Sequence, residues 1–173
     1  MIEPVFRTID PQEILVNPFK LMLKDWMLVT AGPIDDYNTM TAGWGGLGGM
    51  WSKSTAMCVI RPTRHTFRFI EREENFTLCF FDDQYREALQ FCGSKSGRDI
   101  PDKAVQAGLT PIAGDLGRTV VFAEARLILE CRKLYWQDID PAHFLDPKIE
   151  DWYPQKDYHR MYIGEIVNCR TRG

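Results

Sequence analysis

Residues 118–136, RTVVFAEARLILECRKLYW, contain neither glycine nor proline and carry β-favouring side chains in period-two alternation. Val121, Ala123, Ala125, Leu127, Leu129 and Cys131 share one face, while Phe122, Glu124, Arg126, Ile128, Glu130 and Arg132 share a more polar one. The run reads as a single long antiparallel strand, and a strand of that length needs neighbours to take its backbone hydrogen bonds. Four other segments supply candidates. Lys24–Gly32 ends at Gly-Pro, Thr55–Arg61 ends at Pro62, Asn75–Phe81 is rich in β-formers, and Tyr158–Val167 follows an acidic, aromatic-containing excursion at 137–157. Helical segments are shorter. Pro62 is expected to open a helix with Thr63, Arg64 and His65 in its first turn and Phe67 and Ile70 inward. Asp82-Asp83 start another through Leu89, and a third spans Pro101–Gly108. Strands outnumber helices and do not alternate regularly with them, so a closed antiparallel β-structure with peripheral helices fits better than a doubly wound sheet.

The length of 173 residues and a hydrophobic content of 45% suffice for one well-buried core, and residues 1–173 are expected to form a single domain. A net charge of -3 from 21 basic and 24 acidic residues, with no basic cluster, argues against a nucleic-acid partner. The start MIEPVFRTIDPQEIL has acidic residues and prolines where a secretory leader needs a basic start and an apolar run. No apolar stretch approaches the roughly 20 residues needed to cross a bilayer. A soluble, cytoplasmic protein with no membrane partner is expected. The five cysteines are odd in number and lack C-x-x-C spacing, which speaks for core or free thiols. His65, His143 and His159 show no metal-ligand spacing, so no metal site is expected.

Tyr37–Ser52 carries no charge and holds five glycines; strand alternation fails from Gly45 onward. It either packs as a connection or brings exposed amides close to a ligand. Residues 92–99, CGSKSGRD, form a second loop rich in glycine and hydroxyls. Together these loops suit an anionic, planar ligand. Their amides and the hydroxyls of Thr39, Thr41, Ser94 and Ser96 can donate to oxygens, and Arg61, Arg64, Lys95 and Arg98 supply positive charge. Trp44, Trp51 and Met40 can either cover a flat ring or simply pack. His65 reads equally as a surface, a satisfied or a ligand-contacting histidine. His159 reads equally as structural or as part of an active site.

Five blocks, NTMTAGWGG (38–46), CVIRPTRHT (58–66), ENFTLCFF (74–81), CGSKSGRDIPDK (92–103) and YIGEIV (162–167), occur in this order. The ordered set resembles the flavin reductase-like proteins of the FMN-binding split-barrel fold, in particular the flavoredoxin-type branch. The resemblance implies a mainly β, antiparallel Greek-key split barrel with peripheral helices, a homodimer with FMN near the subunit interface, and electrons arriving from NADH, NADPH or a protein donor. The implied activity is that of an FMN-binding oxidoreductase passing electrons to a small-molecule or protein acceptor. The alternatives are a non-catalytic flavin electron carrier and a ligand-binding module on the same fold.

By the same resemblance, Asn38, Thr39, Met40 and Thr41 line the isoalloxazine edge with Trp44 close by. Arg61, Arg64 and Thr66 match the stretch reaching the phosphate and ribityl chain. Ser94, Lys95, Ser96 and Gly97 match the second ligand loop, whose pattern Lys103 completes. His159 falls on the side where donor or acceptor approaches. Ser54 stands where relatives commonly have proline, which leaves a flavin-flanking turn less rigid. The cofactor carries the hydride chemistry, so no side chain is assigned as an obligatory acid or base.

Overall fold

The computed structural model describes residues 5–172; residues 1–4, with which the leader reading begins, and Gly173 lie outside the described residues. In chain order the strands are β1 (Phe6–Thr8), β2 (Met27–Ala31), β3 (Asn38–Ala42), β4 (Gly45–Met50), β5 (Lys53–Ile60), β6 (Asn75–Phe80), β7 (Pro111–Ala113), β8 (Val120–Phe122), β9 (Leu127–Asp138) and β10 (Arg160–Arg172). The α-helices are α1 (Pro18–Lys20, running into a π-helical turn at Leu21–Asp25), α2 (His65–Arg72), α3 (Arg86–Ser94) and α4 (Lys103–Gln106). No helix of the described residues is long and apolar enough to cross a membrane.

The main sheet runs in the order β3-β2-β6-β9-β10-β5-β4, with β1 added beside β10 and every pair antiparallel. Its two ends, β3 and β4, do not pair with each other among the described residues. The expected β-structure is therefore split rather than closed by hydrogen bonds. The inner faces of β2, β5, β6, β9 and β10 meet in one core that includes Met27, Ile60, Phe76, Leu129 and Tyr162, each fully buried. Each such side chain contributes about 1.5–3 kcal/mol through burial. A second cluster forms on the opposite face, where Leu28, Cys79 and Ile128 receive Leu89 and Cys92 of α3 and Phe122 of β8. β10 lies between β5 and β9, and its register against β9 shifts at Ile163/Gly164 and again at Ile166/Asn168. Gly164 is required at the first shift, since a Cβ there would stand 2.8 Å from the Phe76 ring and 2.9 Å from Cys131 Cβ.

Four expectations need correction. The run 118–136 is two strands, not one. β8 pairs with β7, the chain turns where the Ala125 N–H donates to the Phe122 carbonyl, and β9 begins at Leu127. Arg126 fixes that turn by donating to the Phe81 carbonyl and pairing at 2.7 Å with the buried carboxylate of Asp25. The glycine-rich stretch is not a mere connection. Its second half is β4, which pairs with β5 from Gly45↔Cys58 to Met50↔Lys53. Finally, α2 starts at His65 rather than at Pro62. Arg64 is its extended N-cap, and the Arg64 N–H closes a turn onto the Arg61 carbonyl at 3.0 Å. In addition, α3 extends beyond Leu89 to Ser94, so the first residues of the CGSKSGRD segment are helical. The 137–157 excursion carries the end of β9 and two short 3-10 helices.

Candidate functional site

The edge strand β3, the start of α2 and the C-terminal end of α3 converge. They bound a cavity of about 130 Å³ lined by Asn38, Met40, Arg64, Thr66, Lys95 and Gly97, among others. Asn38 is buried and its amide Nδ2 donates to Thr66 Oγ1 at 2.7 Å, which locks β3 to α2. Gly97 is buried against that amide, and a Cβ on it would fall 1.7 Å from Asn38 Oδ1. The loop can approach β3 this closely only without a side chain. Ser94 and Ser96 line the same cavity, although each also has a local role. The Ser94 hydroxyl donates to the Phe91 carbonyl at 3.2 Å, and Ser96 Oγ accepts from the Arg98 N–H at 3.2 Å.

Lys103 also lines this cavity, only 3% exposed, and its ammonium donates to the carbonyls of Cys92 and Lys95 at 2.7 Å each. It takes up the free carbonyls at the end of α3 and so fixes where the 94–97 loop departs. Burial lowers its pKa. His65 lines the cavity from the other side. Arg68 Nη2 lies 3.0 Å from His65 Nε2, and because a guanidinium only donates, the imidazole proton is on Nδ1. That buried Nδ1 has no hydrogen-bond partner among the described residues. The pKa of His65 is lowered by burial and then by Arg68, Arg98 and Lys103.

A second cavity of about 240 Å³ adjoins the first through Met40 and Arg64 and is lined further by Thr41, Trp44, Arg61, Trp152 and His159. The 137–157 excursion forms its far wall. Trp44 and Trp152 meet edge to face with centroids 5.3 Å apart, and the His159 ring lies 5.1 Å from Trp44. Tyr153, buried under Phe144 and Tyr158, shares a 2.9 Å hydrogen bond with His159 Nδ1. Burial, followed by the positive charge of Arg61, pushes the pKa of His159 down to about 4, so the ring is neutral near pH 7. The excursion is held by Arg61, which pairs with Asp157 at 2.8 Å, donates to the Trp152 carbonyl at 2.7 Å and covers the Tyr153 ring.

The structure thus gathers Asn38, Met40, Arg64, Thr66, Ser94, Lys95, Ser96 and Gly97 around the first cavity, and Thr41, Trp44 and His159 around the second. Two residues stand elsewhere in function. Thr39 is buried with its hydroxyl 2.8 Å from Thr30 Oγ1 and donating to the Val29 carbonyl, so only its backbone reaches the edge. The Arg61 guanidinium is engaged by Asp157 and the excursion. Thr41 Oγ1 donates to the Leu89 carbonyl and ties β3 to α3. Ser54 lies in β5 opposite Gly49 and lines a separate, larger cavity of about 450 Å³. That cavity is bounded mainly by apolar and small residues, with Lys53 as its cation, and lacks the convergent donors of the smaller pair. The sequence reading missed the capping by Lys103, the orphaned His65 proton and the Trp152–Tyr153 wall. Lys103 had a signal there, as the last residue of the CGSKSGRDIPDK block, and the wall had one in the aromatic residues of the 137–157 excursion.

No curated protein matches this chain. Among solved structures, an FMN-binding domain of a flavin reductases-like enzyme from Shewanella baltica superposes with a TM-score of 0.71 at 16% identity, covering 99% of this chain and 80% of that one. Flavoredoxin of Desulfovibrio vulgaris gives 0.65 at 22% identity over 84% of this chain and 68% of its own. An NADH:FAD oxidoreductase of Streptomyces globisporus, solved with NAD and FAD fragments, gives 0.65 at 15% identity over 86% and 74%. These likenesses establish the split-barrel fold. The flavin reductase-like domain family matches residues 21–173, nearly the whole length. With its split sheet and its paired cavities at the β3 edge, the chain belongs to the flavin reductase-like domain family.

Proposed function

We propose that this chain is an FMN-dependent oxidoreductase that takes electrons from NADH, NADPH or a protein donor and passes them to a small-molecule or protein acceptor. The observation that carries this reading is the convergence of Asn38, Arg64, Thr66 and the 94–97 loop on one cavity. There, Arg64 and Lys95 face no acidic partner among the described residues. The residues fit FMN. The small cavity matches a phosphate seat in size and charge, Gly97 leaves room beside Asn38, and the outer edge of β3 keeps unpaired backbone groups for the polar rim of a flat ring. FMN bound there supplies the hydride and single-electron chemistry. The protein's own part is to seat the phosphate through Arg64, Lys95 and Thr66 and to bound the ring space with Trp44, Trp152 and neutral His159. Excluding water from that space strengthens each remaining electrostatic contact. No side chain is assigned as an acid or base.

The finer reading is a single cytoplasmic domain over residues 1–173 working as a homodimer. Trp51 and Tyr135 support the dimer, since they are 56% and 41% exposed and their rings lie 6.3 Å apart on one surface. Light scattering at twice the chain mass of 20.0 kDa is expected, and a monomer at micromolar concentration counts against it. An absorbance scan of the purified protein, followed by stopped-flow mixing with NADH and NADPH, tests the activity. Yellow protein bleached by either nucleotide is the expected result. Yellow protein bleached by neither favours the electron-carrier alternative. Colourless protein that takes up no added FMN overturns the reading.

A further inference from the structure

The histidines differ in which ring nitrogens are committed. His65 has one nitrogen facing Arg68 and the other sealed from solvent without a partner. His159 is its reverse. Its Nδ1 is held by the Tyr153 hydroxyl at 2.9 Å, while its Nε2 makes no hydrogen bond among the described residues and, unlike His65 Nδ1, is open to solvent. The direction of the Tyr153 hydrogen bond follows from burial. Tyr153 is only 3% exposed, packed against Phe144 and Tyr158 and covered by Arg61, so its hydroxyl proton needs an acceptor inside the protein. His159 Nδ1 is the partner it meets among the described residues. The phenol therefore donates, Nδ1 carries the lone pair, and the neutral imidazole keeps its proton on Nε2. The Ile139 N–H donates to the His159 carbonyl at 2.9 Å, so the ring projects from a backbone fixed to the end of β9.

We propose that Tyr153 is a positioning residue that holds His159 in its Nε2–H form, and that this neutral N–H receives the oxygen of a planar carbonyl-, quinone- or nitro-type electron acceptor lying against Trp44 and Trp152. The inference rests on the proposed oxidoreductase function for the role of that molecule as an acceptor. The 240 Å³ cavity that His159 lines has no carboxylate among its described residues, so a cationic ligand finds no counter-charge there. Of its two arginines, Arg61 is committed to Asp157 and to the Trp152 carbonyl, and Arg64 is assigned to the phosphate. His159 is left as the uncommitted neutral side-chain donor of the aromatic wall. The cavity shares Thr41, Ala42 and Gly43 with an open cleft of about 510 Å³ that reaches Leu89 and Gly93 of α3, so the edge of β3 leaves room for a second planar molecule beside a flavin ring. A flat hydrocarbon of the same shape gains the aromatic contacts but leaves the N–H unanswered, and that difference is the basis of selection.

Nitrogen NMR of isotope-labelled protein, which tells a protonated ring nitrogen from one with a lone pair, tests the first half without any ligand. Wild-type protein is expected to show the proton on His159 Nε2, and Tyr153→Phe, which removes only the hydroxyl, to show the two nitrogens averaged between forms. Titration of oxidised, FMN-loaded protein with acetophenone and with α-methylstyrene, which has the same shape but no oxygen, tests the second half. Wild-type protein should prefer acetophenone. Tyr153→Phe should weaken acetophenone about threefold to tenfold and hold α-methylstyrene within about twofold, whereas a merely structural disturbance weakens both. His159→Phe should abolish the preference. A wild-type proton on Nδ1 overturns the positioning role. Equal affinity of wild-type protein for the two probes, equal loss of both in Tyr153→Phe, or no binding of acetophenone overturns the donor role. Protein that takes up no FMN overturns the oxidoreductase reading, and with it the acceptor assignment, whatever form His159 shows.

Discussion

The two walls of the candidate site are built in opposite ways. The wall around Asn38 consists of backbone and tightly bound side chains fixed at contact distance: Asn38 on Thr66 at 2.7 Å, Gly97 against Asn38, and Lys103 on two carbonyls. The excursion wall consists of large rings held from a distance by one guanidinium, that of Arg61, and by the Tyr153–His159 hydrogen bond. A wall set by contact distances has no slack, whereas one set by side-chain tethers can be retuned residue by residue. On the proposed reading, shape complementarity for a phosphate and adaptability toward changing donors and acceptors would fall to different parts of the chain.

The largest effect should come from removing the slack-free contact. Gly97→Ala places a methyl 1.7 Å from Asn38 Oδ1 and must displace a buried, hydrogen-bonded amide. It is expected to cost about 1–3 kcal/mol in chemical denaturation and to weaken FMN binding by well over tenfold. An unchanged FMN affinity would show that the 94–97 loop can retreat, and the contrast between the walls would collapse. Arg64→Ala comes next. It should lower FMN affinity about tenfold and leave riboflavin affinity nearly unchanged, because a charge-assisted contact contributes roughly 1.5–3 kcal/mol. Equal loss for the two ligands would place Arg64 away from the phosphate.

Arg61→Ala sharpens the comparison from the other side. It removes the tether to Asp157 and to the Trp152 carbonyl. The expected signature is a stability loss of about 1 kcal/mol, faster proteolysis within 140–157, and a small loss of affinity equal for FMN and riboflavin. A loss confined to FMN would return Arg61 to the phosphate. The smallest effect is on pH dependence. His159 titrates at about 4 in the folded chain and at 6.5 when unperturbed, so the unfolded chain takes up the proton first as pH falls. Its stability contribution is complete above about pH 6.5 and declines toward pH 4, with His65 shifted in the same direction. Thermal melts of His159→Gln across this window should show a flatter profile than the parent. A profile as steep as the parent's would mean that another group titrates there.

Strands with side chains on both faces were legible in the sequence. β2, β5 and β6 fall inside the runs 24–32, 55–61 and 75–81 apart from the first residues of β5, because β-branched and aromatic residues cluster there. β4 was not legible, since glycines have no side chains to alternate, and only its partner β5 makes it a strand. The break at 123–126 was hidden for the opposite reason. Alternation continues through a turn that contains no glycine, proline or asparagine and is fixed by the remote Phe80, Phe81 and Asp25. In the site, contiguous blocks located Asn38, Arg64 and the 94–97 loop. The pairing of Arg61 with Asp157 joins positions 96 residues apart and leaves no local trace.

The burial of Lys103 bears on ionic strength. Arg64 and Lys95 are exposed, so dissolved ions weaken their pull on a phosphate as the Debye length shrinks from about 10 Å at 0.1 M to about 3 Å at 1 M salt. Lys103 lines the same cavity but is only 3% exposed, with its ammonium held by two carbonyls, so counterions reach it far less. If a phosphate sits there as proposed, part of the attraction survives in concentrated salt, and a phosphorylated ligand is expected to be retained on a high-salt column because one of its cations is nearly out of the solvent.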